Sequence, residues 1–175
     1  DRFDAVLEET VERILGEIDR LDTIARAFSR FGLPGGAAGP LELVDLTATA
    51  AEVVALYRLS GDGAAVELEG EPGLVVSARR DEFKEVLGNL VENGRNAGAT
   101  RVRIQFGPGS CRVADDGAGI PADVLPRLFE PRFSATTSGA GLGLAIVRRL
   151  VEGWGATVDL ASEAGRGTVA TIRWP

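Results

Sequence analysis

Asn89-Leu90-Val91-Glu92-Asn93-Gly94-Arg95-Asn96-Ala97 is the stretch on which the reading of this chain turns. Asn89 and Asn93 are four residues apart, so on a helix their side chains share one face, one turn apart. Asparagine is a poor helix former, and several in one helical segment ask for a use. Amide oxygens are hard, neutral ligands, suited to a Mg²⁺ ion that draws its other oxygens from phosphates and water. The plain alternative is a solvated polar helix face.

Further along, Asp115-Asp116-Gly117-Ala118-Gly119-Ile120 follows the apolar stretch Cys111–Ala114. A carboxylate emerging from a strand end, beside glycines that let the backbone approach, can accept hydrogen bonds from an exocyclic amine such as that of adenine. An ordinary Asp/Gly turn is the simpler alternative. Gly139-Ala140-Gly141-Leu142-Gly143-Leu144 then opens an apolar helix. Small residues at a helix N-terminus present unpaired N–H groups and the positive dipole end, which suits phosphate. The run invites comparison with a dinucleotide fingerprint, with Asp159 near the ribose-binding distance. Leu144 replaces the third glycine, however, and Ser134–Ser138 before the run is no strand, so that alternative fails. The intervening Phe129-Glu130-Pro131-Arg132-Phe133 and the small polar residues to Ser138 read as a lid-like loop. Arg132 is a phosphate contact or a solvated surface arginine.

Around these motifs the pattern is mixed. Leu46–Tyr57, Asp81–Ala97 and Gly141–Glu152 read as helices, with a shorter helical piece near Ala122–Leu128. Val66–Glu69, Leu74–Ser77, Arg101–Phe106, Cys111–Ala114, Thr157–Ala161 and Thr168–Arg173 read as strands, the last two joined by a turn at Gly165–Gly167. Helices on one face of a mixed, mostly antiparallel sheet make an α+β two-layer sandwich.

Residues 3–31 read as one long helix before it. Leu7, Ile14, Leu21 and Phe28 recur every seven residues, followed four behind by Val11, Ile18 and Ala25, while Ile24 and Phe31 widen the stripe. A seven-residue period sustained in this way fits an inter-chain helical bundle better than a helix packed on its own domain. Gly32 and Pro34 end it, and the glycine-rich run to Pro40 is a flexible joint. The expected plan is 1–32 bundle helix, 33–40 linker and 41–175 catalytic domain.

Composition narrows the function. Of 175 residues, 45% are apolar, enough for a core, and 19 basic against 26 acidic residues give a net charge of −7. Without a Lys/Arg run, no nucleic-acid partner is expected. Cys111 is alone, which suits a reducing, cytoplasmic compartment. No apolar run reaches the roughly 18 residues of a membrane span, so no membrane contact by this segment is expected. The absence of methionine suggests a piece of a longer protein. The absence of histidine removes Ser–His catalysis, histidine metal sites and histidine phosphorylation in cis.

In order and spacing, the motifs resemble those of the catalytic, ATP-binding domain of two-component sensor histidine kinases, within the GHKL ATPase superfamily. Asn89–Ala97 matches the N box, Asp115–Gly119 the G1 box, Phe129–Phe133 the F box and Gly139–Leu144 the G2 box, while Gly165–Thr168 stands at the last glycine turn. The resemblance covers about Leu41 to Pro175. It implies that Asn93 coordinates Mg²⁺ with Asn89 in support. It implies that Asp115 reads the adenine amine over Gly117 and Gly119, with Thr168 nearby. Arg132, Gly139, Gly141, Leu142 and Gly143 would hold the phosphates of ATP or ADP. It further implies a homodimer through the N-terminal helix, as the second helix of a phosphotransfer bundle, and a response-regulator receiver domain as partner. Two positions depart from the family: Asp116 stands where Asn is common, and Thr136 where many relatives carry a phosphate-contacting lysine, for which Arg132 or Arg95 is a substitute. A catalytically silent nucleotide-binding module and a GHKL serine kinase of the anti-sigma type are the competing readings.

Overall fold

A computed structural model describes residues 10–11, 39–60, 63–70, 73–129 and 142–175. The segment expected to form an N-terminal bundle helix, apart from Thr10 and Val11, and the expected linker up to residue 38 therefore lie outside the described residues.

Among the described residues from Gly39 on, seven strands and three helices follow in order: β1 (Glu42–Asp45), α1 (Leu46–Ser60), β2 (Ala65–Glu69), β3 (Val75–Ala78), α2 (Arg80–Asn96), β4 (Arg101–Gly107), β5 (Ser110–Asp115), α3 (Gly143–Glu152), β6 (Thr157–Glu163) and β7 (Gly167–Arg173). A single 3₁₀ turn at Leu125–Arg127 stands where a short helical piece is expected. The main sheet has the order β2-β4-β5-β7-β6. Only its β2–β4 pair is parallel, and β1 pairs antiparallel with β3 apart from it. This is the α+β two-layer sandwich that the mixed periodicity predicts.

Alternation places Val102, Ile104 and Phe106 of β4, Cys111 and Val113 of β5, and Ala170 and Ile172 of β7 in the core, while Arg101, Arg103 and Arg112 face outward. Onto that face α2 turns Phe83, Val86, Leu87, Leu90, Val91 and Gly94, a spacing of three and four residues. From α3 come Ala145, Ile146, Val147, Leu150 and Val151. With their inner faces committed to the core, the two helices leave the polar side of α2 to meet the first turn of α3.

Strand β1 escapes the sequence reading for a physical reason. It is four residues long, its Leu43 is 81% exposed, and only Val44 is buried, so no apolar run marks it. Asp45 at its end caps α1, its Oδ1 accepting from Ala48 N at 2.9 Å.

Phe83, Trp154 and Trp174 form an aromatic cluster with ring centroids 6.2 to 6.5 Å apart, the two indoles stacked within 4°. Trp154 Nε1 donates to Glu82 Oε2 at 2.7 Å, tying the end of α3 to the start of α2. Phe83 is fully buried at the centre of this cluster. Phe83→Ala is therefore expected to lower unfolding free energy by about 3–5 kcal/mol. Urea denaturation followed by tryptophan fluorescence reads this directly, and a loss under about 1 kcal/mol would contradict the packing described.

Candidate functional site

Asn89 and Asn93 stand on the side of α2 that meets α3. Asn89 Nδ2 donates to Glu85 O at 2.9 Å, which fixes its amide and leaves Oδ1 turned the other way. A Cβ built on Gly143 would lie 3.1 Å from Asn89 Oδ1 and 3.8 Å from Asn93 Oδ1. Both amide oxygens thus approach the first turn of α3, and a side chain in place of Gly143 would crowd Asn89 Oδ1. The next glycine, Gly94, joins α2 to the end of β5: a Cβ there would lie 2.9 Å from Asp115 Cβ. Asn89, Asn93, Gly143 and Asp115 consequently converge from three elements that lie far apart in the chain.

Asp115 is half-buried at the end of β5. Its Oδ1 accepts from Gly117 N at 2.9 Å and Thr168 N at 3.3 Å. Burial raises its carboxyl above the ordinary range, the neighbouring Asp116 charge adds to the rise, and the two amides oppose it. The turn beyond is packed backbone to backbone. Gly117 lies against Ala97, where a Cβ would come within 2.9 Å of Ala97 Cβ. Gly119 has φ +66°, and a Cβ on it would fall 2.0 Å from Glu163 O. Gly165 N donates to Ala118 O at 2.7 Å, so the β6–β7 turn and the Asp115 turn are laced together. These glycines serve close backbone approach as well as turning.

A family model described as histidine kinase-, DNA gyrase B-, and HSP90-like ATPase matches residues 78–175. The chain belongs to that family. Among similar proteins are sporulation kinase D of Bacillus subtilis, 30% identical over 91% of this chain and 33% of its own length, and the C4-dicarboxylate transport sensor protein DctB of Rhizobium meliloti, 33% identical over 93% and 28%. The chain therefore spans about a third of the length of these curated relatives. Among solved structures, full-length ShkA in complex with AMPPNP matches 99% of this chain and 38% of that one, with 27% identity and a TM-score of 0.73.

Within this histidine kinase-type ATPase domain, the departures noted in the sequence acquire a geometry. Asp116 turns toward the α2–β4 junction: its Oδ1 accepts from Thr100 N at 2.7 Å and Arg101 N at 2.8 Å, and its Oδ2 from Thr100 Oγ1 at 2.7 Å. The Thr100 hydroxyl is the leading reason its carboxyl is held below the usual range, aided by the Arg101 amide. With three donors converging on it, an acceptor-only carboxylate fits better than an amide. Arg95 is 3.0 Å from Glu92 Oε1 and lies 5.5 Å over the Tyr57 ring. It is thereby directed to α1, which argues against it as a stand-in for the missing lysine.

Leu142 caps α3, its carbonyl accepting from Ile146 N at 2.9 Å, and its side chain packs on the core. Thr168 is the second residue of β7 and lies beside Asp115. Arg132, Gly139 and Gly141 lie outside the described residues. Ser162 is a residue that the motif reading missed. Its one signal is polarity on an apolar register, since the inward positions of β6 run Val158, Leu160, Ser162. No helix of the described residues is long and apolar enough to cross a membrane.

Proposed function

We propose that this protein binds ATP with Mg²⁺ and serves as the phosphoryl-donating catalytic domain of a two-component sensor histidine kinase. The observation that supports this best is the meeting of Asn89 and Asn93 with the first turn of α3, one residue from the contact between Gly94 and Asp115. Asp115, with Gly117 and Gly119 beneath it and Thr168 alongside, receives the adenine amine. The N-terminal turn of α3, preceded by Gly139, Gly141 and Leu142, receives the phosphates, with Arg132 as a further contact. The approach of both amide oxygens to the start of α3 supports a small hard cation between α2 and the phosphates, which Asn93 would hold with Asn89 supporting it. Mg²⁺ bound there would neutralise phosphate charge. The contribution of the chain itself is to position the nucleotide and orient its terminal phosphate outward, and that is most of what phosphoryl transfer asks of a protein.

In this reading residues 1–32 are the second helix of a dimerising phosphotransfer bundle, 33–40 a linker and 41–175 the cytoplasmic catalytic domain, with a response-regulator receiver domain as downstream partner. The 175 residues contain no histidine, so the acceptor must come from another segment. Two measurements test the proposal together. Calorimetry is expected to show ATP and ADP binding that is lost on removing Mg²⁺ with EDTA. Radiolabel from γ-labelled ATP is expected to appear on a histidine of an acceptor bundle supplied in trans. Binding without transfer would instead favour the silent nucleotide-binding module, and label on serine the serine-kinase alternative.

A further inference from the structure

Ser162 on β6 joins the two walls of the proposed base site. Its Oγ lies 2.8 Å from Ile120 N, 2.8 Å from Gly167 O and 2.9 Å from Thr168 Oγ1. A serine hydroxyl has one proton and two lone pairs. The Gly167 carbonyl has no proton to give, so the Ser162 proton goes to it. The Ile120 amide fills one lone pair. Only the second lone pair then remains for Thr168, so Thr168 is the donor of that contact. Its single proton is thereby committed to Ser162, and the oxygen is left able only to accept from any further partner.

We propose that Ser162 is a positioning residue that holds the Thr168 hydroxyl as an acceptor, so that the site selects a purine carrying an exocyclic amine. The inference rests on the ATP reading above and adds a specificity determinant to it. The Thr168 amide is bonded to Asp115 Oδ1, which also accepts from Gly117 N. Asp115 Oδ2 is likewise acceptor-only when ionised. An amine offers two hydrogens to these two oxygens. A purine with hydrogen at that carbon offers none and leaves both acceptors without a donor, which costs more than the lost attraction alone.

The test compares binding of ATP with that of purine riboside 5′-triphosphate, both with Mg²⁺, in the full chain. The wild-type protein is expected to prefer ATP. Ser162→Ala frees the Thr168 proton and should shrink that preference roughly three- to tenfold, the worth of one neutral hydrogen bond. Thr168→Val should shrink it to the same extent, and Ser162→Ala combined with Thr168→Val no further, because one residue acts through the other. Ser162→Thr keeps the hydroxyl and should keep the preference. Equal weakening of both ligands in Ser162→Ala, or additive losses in the double variant, would overturn the proposal. Full ATP preference in Thr168→Val would do the same, even if Ser162→Ala failed to fold. If the wild-type chain binds neither triphosphate, the ATP reading itself has failed. If wild type discriminates and the Ser162→Ala ratio stays fixed, only this inference has.

Discussion

Asp115→Asn is expected to leave the fold intact and weaken ATP and ADP binding by about a hundredfold or more. The substituted amide must keep its oxygen toward Gly117 N and Thr168 N, because two N–H donors already point there. Its NH₂ then occupies the place of Oδ2, and a donor confronts the donor amine of the base. Losing a charged hydrogen bond costs about 1.5–3 kcal/mol, and the opposed donors add a desolvation penalty. Stability should move the other way. Burial raises the folded pKa of Asp115, so the fold favours the neutral carboxyl. Its contribution to stability is complete below the unfolded-state pKa and lost as pH rises through the folded value. At neutral pH the ionised group opposes folding, and Asp115→Asn should melt at the same temperature as wild type or higher. In the proposed site the adenine amine is received by the charged form, so wild-type affinity should fall as pH drops through that raised pKa. Calorimetry across this range, with melting curves for both proteins, checks both signs. Undiminished ATP binding in Asp115→Asn would remove the adenine assignment.

Much of this was legible in the chain because the relevant signals are local. Phe83 to Gly94 carries a spacing of three and four, and β4 and β5 alternate, so helix, strands and sandwich follow from periodicity. Asn89 and Asn93 share a face by arithmetic alone. What periodicity does not carry is approach between distant segments. That α2 meets the end of β5 through Gly94, or that Gly143 leaves room for two amides, depends on packing across about 20 to 50 residues of chain. Asp116 shows the same limit from the other side. Adjacent to Asp115 in sequence, it points to Thr100 and Arg101, because consecutive residues at a strand end turn to opposite faces. Ser162 was invisible as chemistry, since a lone serine in a strand acquires its role only from Ile120, Gly167 and Thr168 around it. Strand β1 was missed for want of a buried run.

Gly167→Ala should be strongly damaging, because the added methyl group would press on the backbone that carries Asp115. Gly167 has φ +86°, and a Cβ there would fall 2.0 Å from Asp115 O, 2.8 Å from Asp115 C and 3.0 Å from Asp116 Cα. All three are backbone atoms, so no rotamer change relieves the overlap. Left-handed backbone costs an L-residue about 1–2 kcal/mol, and forcing neighbours apart in a packed region typically adds about 1–3 kcal/mol. Gly155→Ala isolates the first contribution, because Gly155 has φ +76° and nothing within 4 Å of the added atom. The difference in unfolding free energy between the two variants therefore measures the backbone contact itself, and about 1–3 kcal/mol is expected. Relief of the overlap must move either β7 or the peptide that carries Asp115. Nucleotide affinity should therefore fall in Gly167→Ala at temperatures where the protein remains folded, and hold in Gly155→Ala. Equal stability of the two variants in urea would mean that β7 does not press on Asp115 as described, and the geometry of the carboxylate proposed to read adenine would go with it.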